Sequence, residues 1–166
     1  AIILYFSRAG VNYISGAIRN LSKGNTEVVA EIIHKLTGAD LYKIEPAVPY
    51  AFNYSECIEQ AKDDQKRDVR PALANCPASL SQYDTVYLGY PNYWNTMPMP
   101  VFTLLEACDF TGKTILPFCT HEGSGLGRSI QDIKRLCPGA EVGRGLAIQG
   151  GRVTGSEKEI KKWIMK

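Results

Sequence analysis

Short apolar runs alternate with helical stretches along the whole chain, and this alternation limits the folds that the sequence can adopt. The predicted strands are residues 2–6, 40–45, 85–90, 114–119 and 146–149. Four of them are mostly apolar, as in strands covered on both faces of a sheet. The second alternates in polarity and predicts a half-exposed strand near an edge. Pro117 lies within the fourth strand, so we expect a gap in one hydrogen-bond ladder there.

Helical stretches follow each predicted strand in turn. The predicted helices are residues 26–36, 55–68, 101–108, 129–136 and 156–165. Ser55 is the expected N-cap of the second helix, and the run KDDQKRD near its end is interpreted as a solvated face. The order βαβαβαβαβα predicts an α/β fold with a parallel sheet, helices on both faces and right-handed crossovers. For five strands the expected order is 2-1-3-4-5.

Size, charge and cysteine content narrow the class of protein. The chain has 166 residues, of which 45% are hydrophobic, and this suits a single domain over residues 1–166. A net charge of +2 without a basic block argues against nucleic-acid binding. Five scattered cysteines with no C-x-x-C pair predict no metal site and a cytoplasmic protein. No membrane span is expected, and the start at Ala1 reflects either a removed initiator or a missing leader.

Three unusual loops follow the first, third and fourth predicted strands. The first loop is residues 7–26, the second loop is residues 89–98, with the sequence GYPNYWNTMP, and the third loop is residues 119–127, with the sequence CTHEGSGLG. In an open parallel sheet, ligands bind beyond the carboxyl ends of the strands, where the strand order reverses. With the order 2-1-3-4-5, the first and second loops meet at that point and the third lies beside them.

Each loop offers a different chemistry to a ligand. Ser7 and the pair Asn25–Thr26 lie at the start of the first helix, where free N–H groups and the helix dipole favour a phosphate. Tyr93 and Trp94 offer aromatic surfaces to a flat ring. The glycines of the third loop, with His121 and Glu122, expose groups that can bind the polar edge of a heterocycle. Phosphate, flat ring and polar ring edge together describe flavin mononucleotide (FMN).

At these positions the sequence resembles the flavodoxins, in particular longer flavodoxin-like FMN proteins. YFSR and GNTEVVAEII resemble the two ends of the family's phosphate loop, while YPNYWNTMP and THEGSG resemble its two flavin loops. An insertion, residues 11–23, interrupts the first motif, and either Gly10 or Gly24 lines the phosphate site. The resemblance implies a three-layer α/β/α sandwich with non-covalently bound FMN. The implied cofactor-binding residues are Ser7, Arg8, Asn25, Thr26, Pro91, Asn92, Tyr93, Trp94, Asn95, Thr96, Thr120, His121, Glu122 and Gly123.

Simpler interpretations exist for the same residues. Asn25 and Thr26 can serve as an ordinary helix cap. Tyr93 and Trp94 can form a hydrophobic cluster under their loop, and of the two only one is expected to face a flavin. His121 is a general acid, a hydrogen-bond donor to the flavin, or a residue whose main chain alone matters. The catalytic residues remain unassigned.

The resemblance implies a redox function in one of two forms. The first is a flavodoxin-like electron carrier that exchanges electrons with partner proteins. The second is an FMN-dependent NAD(P)H:quinone-type oxidoreductase, which takes hydride from NAD(P)H and passes electrons to small oxidants. The slightly basic chain, with Arg8, Arg19 and Lys23 near the phosphate loop, weakens the pure carrier hypothesis, because positive charge favours reduced flavin. A module that has lost its cofactor is a third alternative.

Overall fold

A parallel β-sheet forms the centre of the protein in the computed structural model, which describes residues 1–166. Its strands are β1 (Ile2–Tyr5), β4 (Asp40–Lys43), β5 (Thr85–Pro91), β6 (Thr114–His121), β7 (Glu141–Val142) and β8 (Leu146–Gln149). They run in the order β4-β1-β5-β6-β7, and β8 also pairs with β6. All of these pairings are parallel. The predicted order 2-1-3-4-5 and the edge position of the second strand are confirmed.

The fifth position of the sheet differs from the prediction because two strands share it. β7 pairs with Thr114 and Ile115 at the start of β6, and β8 pairs with Phe118 and the residues after it. The gap between them falls at Pro117, whose missing N–H cannot serve a ladder on that side. The expected interruption is therefore present, and it divides the edge into two short strands. β7 was not predicted.

Helices cover both faces of the sheet. They are α1 (Asn25–Thr37), α2 (Tyr54–Lys66), α3 (Met99–Ala107), α4 (Ser129–Leu136) and α5 (Glu157–Ile164), with a 3₁₀ helix at Gly150–Gly155. α1 packs beside α5, whereas α3 packs beside both α2 and α4. The result is a three-layer α/β/α sandwich, as expected. None of the helices is both long and apolar enough to cross a membrane.

Two hydrophobic cores lie on opposite faces of the sheet, and alternate residues of the same strands supply them. Ile2 and Leu4 belong to the core under α3 and α4, while Ile3 and Tyr5 belong to the core under α1 and α5. Successive side chains of a strand point to opposite faces, so a strand buried on both sides must be apolar at every position. This explains the continuous apolar run of the first strand.

The start of α2 corrects one detail of the sequence interpretation. Asn53 is the N-cap residue, and its side-chain oxygen accepts a hydrogen bond from the Glu56 N–H at 3.3 Å. Ser55 was expected in this role but lies inside the first turn. Asn and Ser cap helices about equally well, so sequence preference alone does not separate the two positions.

The insertion in the first loop folds into a β-hairpin that was not predicted. Its strands are β2 (Gly10–Ile14) and β3 (Ala17–Leu21), which pair in antiparallel register and form a separate small sheet. The two-residue turn consists of Ser15 and Gly16, with φ values of 51° and 82°. Positive φ at both positions is the type I′ geometry that suits the twist of a hairpin.

Candidate functional site

A cavity of about 610 Å³ lies at the carboxyl ends of β1, β5 and β6. All of the predicted cofactor-binding residues line it except Thr96 and Gly123. Those that do are Ser7, Arg8, Asn25, Thr26, Pro91, Asn92, Tyr93, Trp94, Asn95, Thr120, His121 and Glu122. The three loops thus meet at the expected edge of the sheet, because parallel strands bring their carboxyl ends together.

The N-terminus of α1 offers unpaired donors to the cavity. Gly24 is the N-cap residue and no side chain of the helix caps it. Ser7 Oγ, from the opposite side of the first loop, accepts a hydrogen bond from the Glu27 N–H at 3.1 Å. The N–H groups of Asn25 and Thr26 have no partner within the helix, because the first turn lacks preceding carbonyls. These two residues are therefore not an ordinary cap, and their N–H groups are available to an anion.

Gly24, and not Gly10, is the glycine that lets the first loop approach the start of α1, where a phosphate cup is expected. A Cβ atom at Gly24 would lie 2.2 Å from Ser7 Oγ and 2.7 Å from the Arg8 carbonyl oxygen. The backbone of Ser7 and Arg8 approaches the helix N-terminus this closely only because Gly24 has no side chain. A Cβ atom at Gly10 would instead meet the ring of Phe52, away from the cup.

Two buried hydroxyl groups join the first and third loops. Thr26 Oγ1 and Thr120 Oγ1 lie 2.8 Å apart, and either can donate to the other. Both residues are almost fully buried and both line the cavity. One hydroxyl hydrogen of the pair remains free for an acceptor on a ligand, because a single hydrogen bond uses only one of the two.

The second loop presents Trp94 at the cavity and turns Tyr93 inward. The Tyr93 ring packs edge-to-face against Phe6 and Tyr50, with centroids 5.9 and 6.2 Å away. The Trp94 side chain is 41% exposed, and its indole N–H donates to the Ile58 carbonyl at 2.9 Å. Both residues border the cavity, but Trp94 is the more exposed of the two and offers the larger free surface to a flat ligand.

Thr96 is buried away from the cavity, contrary to the prediction, and serves to position the loop. Its hydroxyl donates to Asp132 Oδ2 on α4 at 2.5 Å. Asp132 in turn lies near Arg128 and Arg135, at 3.4 and 3.3 Å. A threonine beside a binding loop is equally suited to contact a ligand or to anchor its own backbone, and the sequence motif does not distinguish the two roles.

Asn92 ties the second loop to the third. Its side chain donates to the Gly125 carbonyl at 2.9 Å and accepts from the Asn95 N–H at 2.9 Å. Its main-chain N–H donates to the Thr120 carbonyl at 2.8 Å. With its side-chain oxygen and one amide hydrogen already engaged, Asn92 acts chiefly as a clamp on the two loops, although it also borders the cavity.

Glu122 connects the third loop to the hairpin. Its Oε2 accepts a hydrogen bond from the Ser15 N–H at 2.9 Å, while its Oε1 is buried without any donor. Oε1 lies close to Gly150, near the amide nitrogen of the Asn25 side chain. A buried acceptor without a donor is costly, and Oε1 is the one buried side-chain polar atom of the protein that lacks a hydrogen-bond partner.

His121 is held as a neutral imidazole. Its Nδ1 accepts a hydrogen bond from the Gly123 N–H at 2.9 Å, which requires that nitrogen to be unprotonated. Burial lowers the pKa of His121, and the nearby Glu122 charge opposes this effect only in part. Gly123 itself does not line the cavity, since its role is this local turn around the histidine ring.

We expect His121 to make the protein less stable in mild acid. A histidine with a lowered pKa in the folded state stabilises the fold above its unfolded pKa of about 6.5, and this contribution is lost as the pH falls through the folded value. Urea unfolding at pH 7 and pH 5 should therefore show a larger loss for the wild type than for His121→Gln. An NMR titration that places the His121 pKa at or above 6.5 would contradict this.

The cavity also contains residues that the sequence analysis missed. They are Asn12 and Tyr13 of the hairpin, Tyr54, Cys57, Ile58, Ala61, Lys62 and Gln65 of α2, and Ser124 of the third loop. The α2 residues recur at intervals of three and one, which marks a single helical face. The interpretation of the KDDQKRD run as a solvated face holds for Lys62, which is exposed, but it missed that Lys62 and the half-buried Gln65 border the cavity. The face was visible in the sequence, but its orientation towards the cavity was not.

Comparisons with a protein family and with solved structures both lead to flavodoxins or flavoproteins. The sequence profile of the Flavodoxin family matches residues 3–166. A candidate flavoprotein from Bacteroides uniformis ATCC 8492 is 27% identical, with a TM-score of 0.78 over 99% of this chain and 97% of that one. One from Bacteroides eggerthii DSM 20697 is also 27% identical, with a TM-score of 0.79 over 99% and 94%.

A more distant structure shares the fold. The flavoprotein from Lactobacillus acidophilus NCFM, solved in complex with FMN, is 18% identical with a TM-score of 0.66 over 98% of this chain and 97% of that one. Among curated proteins, no sequence matches the chain significantly.

Proposed function

The chain belongs to the flavodoxin family, and from this premise we propose that it is a redox protein that transfers electrons to or from partner proteins through non-covalently bound FMN. FMN supplies the electron-accepting ring, and the protein binds and orients it. Free thiols at all five cysteines agree with a cytoplasmic location, which we include in the proposal.

The single observation that carries this proposal is the N-terminus of α1 opening into the same cavity as Trp94. The unpaired N–H groups of Asn25 and Thr26 would hold the phosphate, and the exposed indole would stack on the ring.

An FMN-dependent NAD(P)H:quinone-type oxidoreductase is the second candidate, and one observation favours it. Arg8 and Lys62 place two positive charges on the cavity wall, opposed by the single carboxylate of Glu122. Positive charge near the ring favours its reduced form, which suits an enzyme that accepts hydride. Small oxidants would then replace partner proteins as electron acceptors.

An anaerobic titration separates the two candidates. We expect the purified protein to bind FMN in preference to riboflavin. The free N–H groups at the start of α1 favour a phosphate, and riboflavin has none. Addition of NADH or NADPH to the FMN complex should leave the visible flavin absorbance unchanged if the protein is a carrier. Rapid bleaching by either nucleotide would instead support the oxidoreductase. Equal affinity for riboflavin and FMN would contradict the phosphate site.

A further inference from the structure

Lys62 is exposed and places a positive charge at the border of the cavity, from outside the three loops. It lies on the cavity face of α2, one turn after Ile58, whose carbonyl accepts the indole N–H of Trp94. The Lys62 Nζ atom lies 4.9 Å from the centre of the Trp94 ring, in a cation–π contact. Gln65, a further three residues along, donates to the Trp94 carbonyl at 3.1 Å. α2 therefore holds both the aromatic residue and the cation at one wall.

The Lys62 ammonium group has no anionic partner in the protein. The neighbouring acids of α2 are already engaged: Asp63 pairs with Arg67 at 2.9 Å, and Asp64 accepts the Tyr50 hydroxyl at 2.9 Å. No carboxylate lies within 4.0 Å of the Lys62 Nζ atom, and that atom donates no hydrogen bond. An unpaired cation at a cavity wall is a group that an anionic ligand would stabilise.

Arg8, the other cation that lines the cavity, is hydrogen-bonded to acceptors within the protein. Its guanidinium donates to the carbonyls of Ala51 and Phe52 at 2.8 and 2.6 Å, and also to the Val11 carbonyl and the Asn12 side chain. These bonds fix Arg8 where the hairpin meets the loop before α2. Arg8 therefore supports the wall, whereas Lys62 is free to respond to a ligand.

The charged side chains that line the cavity carry a net positive charge. Arg8 and Lys62 are cations, Glu122 is the one lining carboxylate, and burial keeps His121 neutral near pH 7. Glu122 lies beside Asn25 and the hairpin tip, at the α1 end of the cavity, whereas Lys62 lies beside Trp94. The excess positive charge is thus on the side of the aromatic residue.

We propose that Lys62 raises the affinity of this cavity for the two-electron-reduced, anionic form of FMN relative to the oxidised form. The inference rests on the proposed function, since it takes FMN as the ligand and Trp94 as the neighbour of its ring. The oxidised ring is neutral, and uptake of two electrons and one proton leaves it with one negative charge. A nearby unpaired cation stabilises the second form and not the first. Lys62 thereby raises the midpoint potential of the two-electron couple.

The test compares FMN affinity in two oxidation states. The dissociation constants of FMN and of dithionite-reduced FMN are measured anaerobically for the wild type, Lys62→Gln, Lys62→Arg and Lys66→Gln. Lys66 lies one turn further along α2 and does not line the cavity, so it provides a matched loss of charge. We expect Lys62→Gln to weaken reduced FMN about tenfold relative to oxidised FMN. For a two-electron couple this lowers the midpoint potential by about 30 mV.

The remaining variants separate charge from packing. Lys62→Arg keeps the charge and should retain the wild-type ratio of the two affinities, and Lys66→Gln should leave the ratio unchanged. An unchanged ratio in Lys62→Gln, or an equal fall in Lys66→Gln, would overturn the role of Lys62 while leaving FMN binding intact. A wild type that binds FMN in neither oxidation state would overturn the proposed function, and this inference with it.

Discussion

Replacement of Gly24 by Ala should weaken FMN binding about 100-fold, equivalent to about 2.8 kcal/mol. The new Cβ atom would lie 2.2 Å from Ser7 Oγ and 2.7 Å from the Arg8 carbonyl oxygen, so the first loop must move away from the start of α1. Overpacking of this kind typically costs about 1–3 kcal/mol. Here the displaced atoms form the rim of the proposed phosphate site. Titration of FMN, followed by the quenching of its fluorescence, measures the loss.

The matched control for this variant is Gly155→Ala. A Cβ atom at Gly155 meets no atom within 4 Å, and the residue does not line the cavity. Gly24 itself has φ −66° and ψ 153°, a conformation that Ala adopts without strain, so only the close approach distinguishes the two sites. Wild-type affinity in Gly24→Ala would show that the phosphate binds elsewhere.

Replacement of the hairpin by a tight turn should accelerate FMN release at least tenfold. Gly10 and Leu21 are paired residues, so the dipeptide Asn-Gly can join them in place of residues 11–20. The change removes the Asn12 and Tyr13 side chains from the cavity wall and the bond between the Ser15 N–H and Glu122. The two-stranded hairpin is separate from the central sheet, so the fold should survive. Dilution of the FMN complex in a stopped-flow fluorimeter gives the release rate.

Point variants within the hairpin test its effect on FMN release with a smaller change to the protein. Tyr13 and Ile18 are cross-strand partners, but only Tyr13 lines the cavity, where its ring stacks on Tyr54 with a centroid distance of 6.2 Å. Tyr13→Ala should therefore speed FMN release, whereas Ile18→Ala should not. If the hairpin replacement releases FMN at the wild-type rate, the hairpin is not part of the binding site.

Most of the fold was predictable because its signals are local. The apolar run of β1, the amphipathic face of α1 and the gap at Pro117 each follow from a few neighbouring residues, and all are present in the structure. The hairpin and β7 were missed for a different reason. β7 has two residues, too few for a pattern, and the hairpin was interpreted only as an insertion within a recognised motif.

The candidate site was predictable where it lies in loops that follow strands. Parallel topology brings the ends of β1, β5 and β6 together, so residues such as Thr26 and Thr120, distant in sequence, were expected at one edge and lie 2.8 Å apart. Thr96 and Gly123 were included because they belong to the same motifs. A motif gives the position of a residue along the loop but not the direction of its side chain, and both residues serve their own loops instead.

Periodicity and loop position are properties of consecutive residues, so they predicted the layered sheet and the edge where the three unusual loops meet. The strand order was taken from the usual order of five-stranded parallel sheets. The other surfaces that close the cavity became known only from the packing of the folded chain. The stacking of Tyr13 on Tyr54 and the placement of Lys62 over Trp94 depend on how α2 and the hairpin pack across the site. Such contacts join residues with no shared local pattern, so their geometry exists only once the chain has folded.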